Sequence, residues 1–154
     1  MTAQERSSRT SEVLERVGLG DASHLYPSQL SGGMRQRAAL ARAFVIGPRT
    51  LLLDEPFSAL DYDLRRSLSA YLSELLSWQP CTTVFVTHHL KDAVRLGDRI
   101  IVMRGARRSE WLEHRVDRER AERSDEFLLT EIDTLRAALA QIECTSATSD
   151  WGPE

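Results

Sequence analysis

The spacing of apolar residues divides the chain into alternating helices and strands. In SEVLERVGLGD (11–21), Val13, Leu14 and Val17 precede glycines, which predicts a short amphipathic helix with a glycine stop. YPSQL reads as a loop, because Pro27 disfavours helix in the residue before it. From Ser31 the helical period resumes, with Met34, Ala38, Ala41 and Val45 on one face and Arg35 and Arg42 on another, until Gly47 and Pro48 end it. TLLLDEP (50–56) predicts a buried parallel strand that carries two acids at its carboxyl end. A longer helix follows from about Tyr62 to Trp78, with Leu64, Leu68, Tyr71 and Leu75 as its stripe and Asp61 as candidate N-cap. TTVFVT (82–87) predicts a second buried strand, HLKDAVRL a short helix stopped by Gly97, and RIIVM (99–103) a third strand. Strands alternating with helices indicate an α/β fold with a parallel sheet and flanking helices.

Beyond Gly105 the pattern changes. Residues 107–125 are densely charged and poor in apolar positions, which predicts a solvated linker or an exposed helix. A last helix carries Leu128, Ile132, Leu135, Leu139 and Ile142 at steps of four and three, and reads as a helix docked on the domain. TSATSDWGPE reads as a frayed tail. The expected division is therefore 1–105 and 106–154.

Composition narrows the class. With 154 residues and 42% apolar content, one domain with a real core is expected. A net charge of −3, with both signs spread along the chain, argues against a nucleic-acid partner. Cys81 and Cys144 have no metal-ligand spacing, and this favours a reduced compartment. The polar start MTAQERSSRTSE has no signal-peptide core, and no apolar run is long enough to span a bilayer.

Three segments could carry chemistry. In SGG (31–33), the Ser31 hydroxyl and the N–H groups of Gly32 and Gly33 could bind phosphate oxygens at a helix start, or Ser31 could simply cap that helix. In LLLDEP, Asp54 could hold a Mg²⁺ ion through water, and Glu55 could orient or deprotonate a water that attacks a phosphoryl group. The competing reading is that both acids cap the next turn. In VTHH, a histidine at a strand tip could donate to a phosphate oxygen, or be an ordinary loop residue. Lys91 and the arginines of the last third read as solvated surface.

Taken in order, these segments resemble the ATP-binding subunit of ABC transporters. LSGGM looks like the signature motif, LLLDEP the Walker B motif, SALD the D-loop and VTHH the switch-histidine segment, over roughly residues 11–105. YPSQLSGGMRQR, with Met34 in place of the commoner glutamine, and the tail RVDRERAERSDEFLLTEIDTLRAAL resemble the nitrate, sulfonate and taurine importer branch. The resemblance implies a P-loop NTPase fold, ATP and Mg²⁺ as cofactors, and a dimer in which each signature closes over ATP bound to the other subunit. By residue it implies that Ser31, Gly32, Gly33 and Met34 contact nucleotide from across the dimer, and that Asp61 also contacts nucleotide. Asp54 would serve the metal, Glu55 catalysis, and His88 both catalysis and nucleotide contact. The implied partners are a second ATPase subunit and a transmembrane permease, at the cytoplasmic face of the membrane with no span of its own.

The phosphate loop of that family, glycines followed by lysine and a hydroxyl residue, does not occur in these 154 residues, whose only lysine is Lys91. The glutamine loop does not occur either. The chain therefore looks like the carboxyl-terminal portion of such a subunit: a partial ABC ATPase domain lacking the Walker A strand, with a gap between the histidine strand and RIIVM. The expectation is an ATPase piece that is inactive alone, and that is either completed by a separate amino-terminal half or inert. The alternative is a non-enzymatic protein that binds an intact subunit and modulates it. A chromosome-maintenance ATPase would need a long coiled coil before the signature, where only some 30 residues stand.

Overall fold

The computed structural model describes residues 2–58, 60–103 and 111–147, with side chains through residue 140. The chain divides into two compact units, Met1–Thr87 and His88–Glu154.

The first unit opens with α1 (Ala3–Arg16), eight residues earlier than the apolar pattern alone indicates. The reason is a capping box: Thr2 accepts from the Glu5 N–H while the Glu5 carboxylate accepts from the Thr2 N–H, so a polar sequence starts a helix. The helix stops as its glycine predicts. Gly18 takes φ 64, its N–H reaches Glu15 O, and the Leu19 N–H reaches Leu14 O, satisfying the last carbonyls. A Cβ on Gly18 would also lie 2.9 Å from Arg37 Nη1 and 3.0 Å from the Tyr71 hydroxyl.

α2 (Gly32–Val45) buries Leu40, Ala41 and Phe44. The guanidinium of Arg9 donates to Val45 O (2.7 Å) and Phe44 O (3.3 Å), closing the far end of α2 with a charge of the sign its dipole favours. α3 (Tyr62–Trp78) buries Leu68, Ser69, Leu72, Leu75 and Leu76, while Leu64 and Tyr71 of the expected stripe are half-buried. β1 (Thr50–Asp54) and β2 (Thr82–Val86) pair in parallel, from Thr50 opposite Thr82 to Asp54 opposite Val86.

Both strands were expected to be buried on two faces, and this sheet is covered on one. Leu51, Leu53 and Phe85 point inward, and Phe85 meets Phe57 with ring centroids 5.7 Å apart. Leu52 (73% exposed), Val84 (51%) and Val86 (50%) lie on the other face. The run of three leucines reads as two-sided because a strand's sequence registers what each face wants, not whether a layer is there to cover it.

In the second unit, α4 (Leu90–Leu96) leads to β3 (Arg99–Met103), which pairs antiparallel with β4 (Trp111–Arg115). β4 lies in the segment expected to be a solvated linker or exposed helix. Its inward positions are only Leu112 and His114, with Val116 just after, and charged residues alternate between them, so the count of apolar residues hides a period of two. α5 (Asp125–Ala147) docks on α4 as expected, through Leu128, Ile132 and Leu135, in a core completed by Val94, Ile100 and Val116. It continues through Ala147, so residues 145–147 of the expected frayed tail are helical, and the remainder lies outside the described residues.

Arg123 departs furthest from its expectation as surface. Its side chain is 1% exposed. It donates to the carbonyls of Val94 (3.0 Å), Arg95 (3.1 Å) and Gly97 (2.8 Å) at the end of α4, and to that of Arg118 (2.8 Å) in its own segment. Burial pulls its pKa below the ordinary arginine value, and the neighbouring Asp98 pulls it back up.

Candidate functional site

The expected site residues of the first unit fall on two helix starts and one strand tip. Ser31 is the N-cap of α2, with extended backbone (φ −65, ψ 167), and its Oγ accepts from the Met34 N–H at 3.2 Å. One lone pair of the hydroxyl is thereby used and its proton remains available to donate. The N–H groups of Gly32 and Gly33 belong to the first turn, where no helical carbonyl can accept from them. Nothing lies within 4 Å of the position a Gly32 Cβ would take, so that side of the turn is open. Met34 is half-buried.

Asp54 ends β1 and is exposed. Glu55 follows in the left-handed region, φ 45, and is the one non-glycine residue with positive φ among the described residues. Its N–H donates to Val86 O at 3.0 Å, extending the β1–β2 pairing by one rung. Its carbonyl accepts from both the N–H (3.2 Å) and the Oγ (3.0 Å) of Ser58. The turn that carries the two acids is thus pinned at both ends. Asp61 is the N-cap of α3 as expected: its Oδ1 accepts from the Leu64 N–H at 2.9 Å. The starts of α2 and α3 meet, since a Cβ on Gly33 would lie 3.1 Å from Leu64 Cδ1.

In the second unit His88 is exposed and its ring lies against that of His89, with centroids 3.9 Å apart and planes at 43°. Sequence reasoning missed Ser58 and Leu64 as parts of this arrangement. The signals were there: a hydroxyl three residues after Glu55, and a leucine three residues into a capped helix. Among the described residues no three His, Cys, Asp or Glu side chains cluster as metal ligands. A single exposed carboxylate such as Asp54 fits an ion that keeps most of its waters and takes its other ligands from phosphate, which is how Mg²⁺ binds with nucleotides. A hydroxyl and free N–H groups at an open helix start fit phosphate oxygens.

Residues 1–58 match the family described as ABC transporter. The sulfate/thiosulfate import ATP-binding protein CysA of Mesorhizobium japonicum is 54% identical over 101 residues, 66% of this chain and 29% of the relative. The glycine betaine/proline betaine transport system ATP-binding protein ProV of Salmonella typhimurium is 48% identical over 103 residues, 67% of this chain and 26% of the relative. Among solved structures, the ATP-binding cassette MJ0796, in a dimeric post-hydrolysis state bound to ADP and Pi, superposes with a TM-score of 0.57. It is 34% identical and covers 77% of this chain, which covers 50% of it.

In fold, the chain matches part of an ABC ATPase domain, with parallel strands and flanking helices. It spans under a third of the length of the curated relatives it matches. The similarity to import ATP-binding proteins agrees with the expected resemblance to ATP-binding subunits of importers. These two relatives carry sulfate/thiosulfate and betaine in their names. No helix of the described residues is long and apolar enough to cross a membrane.

Proposed function

We propose that this ABC ATPase portion supplies the signature, Walker B, D-loop and switch-histidine parts of an ATP-hydrolysing site in an importer of a small solute. We further propose that these 154 residues by themselves do not hydrolyse ATP, because they contain no glycine–lysine loop to cradle its phosphates. The observation that carries the reading is the turn after β1, where Asp54 and the left-handed Glu55 stand at the carboxyl tip of a parallel strand. That is where open α/β sheets place their ligands.

The roles divide by which nucleotide each residue serves. Ser31 Oγ and the N–H groups of Gly32 and Gly33 donate to the terminal phosphate of ATP held by a second ATPase subunit, with Met34 and Asp61 flanking that contact. Asp54 would hold Mg²⁺ through water, and the ion would neutralise phosphate charge. Glu55 orients and deprotonates the attacking water, and His88 donates to a phosphate oxygen as charge develops. These last three act on nucleotide on their own side, which requires a phosphate loop from a complementary amino-terminal portion. The uncovered face of Leu52, Val84 and Val86 is the apolar surface such a portion would cover. The assembly works as a peripheral subunit on a transmembrane permease at the cytoplasmic face of the membrane. Within small-solute importers, YPSQLSGGMRQR and the tail over 115–139 support the nitrate, sulfonate and taurine branch.

The test is a mixing experiment. The purified chain should show no Mg²⁺-dependent turnover and no stoichiometric ATP binding. It should be captured by a full-length import ATP-binding relative, with that relative's catalytic glutamate replaced by glutamine, in ATP and not in ADP. Ser31→Arg should abolish the capture. Turnover by the chain alone that disappears in Glu55→Gln would refute the proposal.

A further inference from the structure

The two glycines of the signature turn have different surroundings. Around Gly32 a Cβ would meet nothing within 4 Å. At Gly33 it would meet Leu64 Cδ1 at 3.1 Å, closer than ordinary van der Waals contact. Neither glycine has a positive φ, so backbone strain is not the reason for either one. Leu64 is held by α3's own cap, since its N–H donates to Asp61 Oδ1 at 2.9 Å while the Arg65 N–H reaches Asp61 O at 3.0 Å. On the other side of the contact, the Met34 N–H donates to Ser31 Oγ and the Arg35 N–H to Ser31 O at 2.9 Å. Two capped helix starts therefore touch through one leucine and one missing side chain.

We propose that Leu64 is a positioning residue for the signature turn: through Gly33 it fixes the first turn of α2 to the first turn of α3, so that the SGG donors and the SALD segment are presented as one piece. The proposal rests on the reading that this turn serves a neighbour's phosphate. Its physical core, the coupling of the two starts, is independent of any nucleotide. Gly33 is small because Leu64 occupies the space beside it. Gly32 has no such neighbour in its own chain and serves as the internal control.

Two measurements on the chain without nucleotide decide the matter. The first is a double-mutant cycle in urea. Gly32→Ala should leave the midpoint unchanged or raise it, because alanine favours helix and space is free. Gly33→Ala should lower the midpoint relative to Gly32→Ala. In a Leu64→Ala background the two alanine variants should unfold at the same midpoint. The second is amide exchange. Leu64→Ala should speed exchange at Met34 by roughly five- to tenfold, the size of a neighbour coupling, and leave Leu72 and Leu75 in the buried part of α3 unchanged. Leu64→Met, which refills the space, should restore the Met34 rate, an effect that general loosening of α3 would not give.

Gly33→Ala matching Gly32→Ala with Leu64 present, or a Met34 exchange rate indifferent to Leu64, would overturn the proposal. Failure of ATP-dependent capture by wild-type chain would instead count against the proposed function and leave these two measurements standing. Where capture occurs, Leu64→Ala should weaken it roughly in proportion to the exchange change, and Leu64→Met should restore it.

Discussion

Replacing Glu55 with glycine should stabilise the chain relative to replacing it with alanine. Both substitutions remove the same half-buried side chain, so whatever the carboxylate contributes is lost equally from each. They differ at the backbone, which sits at φ 45. A left-handed conformation costs a residue with a Cβ roughly 1–2 kcal/mol, and glycine about nothing. Against this, glycine's greater freedom in the unfolded chain costs about 0.5–1 kcal/mol relative to alanine. The difference favours Glu55→Gly by about 0.5–1 kcal/mol, whereas in a helix interior alanine would win by a similar amount. With a urea dependence of about 2 kcal/mol per molar, the midpoints should separate by roughly 0.25–0.5 M. The turn itself should persist in both variants, because the bonds to Val86 O and from Ser58 use backbone atoms of residue 55 that neither substitution removes. Equilibrium urea unfolding followed by far-ultraviolet circular dichroism measures the two midpoints directly. An alanine variant as stable as the glycine variant, or more so, would show that residue 55 is not held in the left-handed region in solution. The acid would then not be set at the strand tip against local preference.

Three further outcomes follow from the same reasoning. Arg123→Met should cost about 3 kcal/mol or more, because four carbonyls lose a charged donor in a site closed to water, and amide exchange in α4 and α5 should report it. Gly18→Ala should destabilise by about 1–2 kcal/mol, a fall of roughly 0.5–1 M in urea midpoint, since the position is left-handed and a methyl group would press on Arg37 and Tyr71. Leu52→Thr together with Val84→Thr should change stability by less than about 0.5 kcal/mol per site, since both side chains are exposed and threonine suits a strand, and should reduce self-association in sedimentation.

How much of this was legible depended on whether the deciding interaction was local. The start of α3 could be read because an N-cap aspartate acts on a backbone three residues away, and the stop of α1 because a glycine closes its own last turn. The stripe of α5 could be read because Leu128, Ile132 and Leu135 repeat at helical spacing. β4 could not. Its inward side carries His114, whose polarity is answered by Glu131 at 2.6 Å on an element seventeen positions away, and nothing in the local pattern records that partner. Arg123 was misread for the same reason, since an arginine becomes an interior residue only when carbonyls from another segment converge on it. Among the candidate site residues, order along the chain pointed to Ser31, Asp54, Glu55 and Asp61. The contact of Leu64 with Gly33 appears only once two helices are placed side by side.

The places where the chain departs from the preferences of its own fold share a direction. A turn designed only for stability would place glycine, not glutamate, at φ 45. A helix start designed only for stability would place alanine or a charged residue at Gly32, where space is free and glycine is a poor helix former. A strand pair complete in itself would put threonine or lysine, not leucine and valine, on a solvent-facing side. The departures at Glu55 and Gly32 cost the isolated chain some stability, and the apolar face costs it solubility instead. Gly33, by contrast, has its reason inside the chain in the side chain of Leu64. The proposed function gives the departures at Glu55, Gly32 and the Leu52–Val84 face one account, in what lies outside these residues: a reacting water, a phosphate, and a second layer of protein. Local strain and unused surface of this kind are expected where function overrules stability, and three independent instances along residues 32–86 make a common cause the economical account.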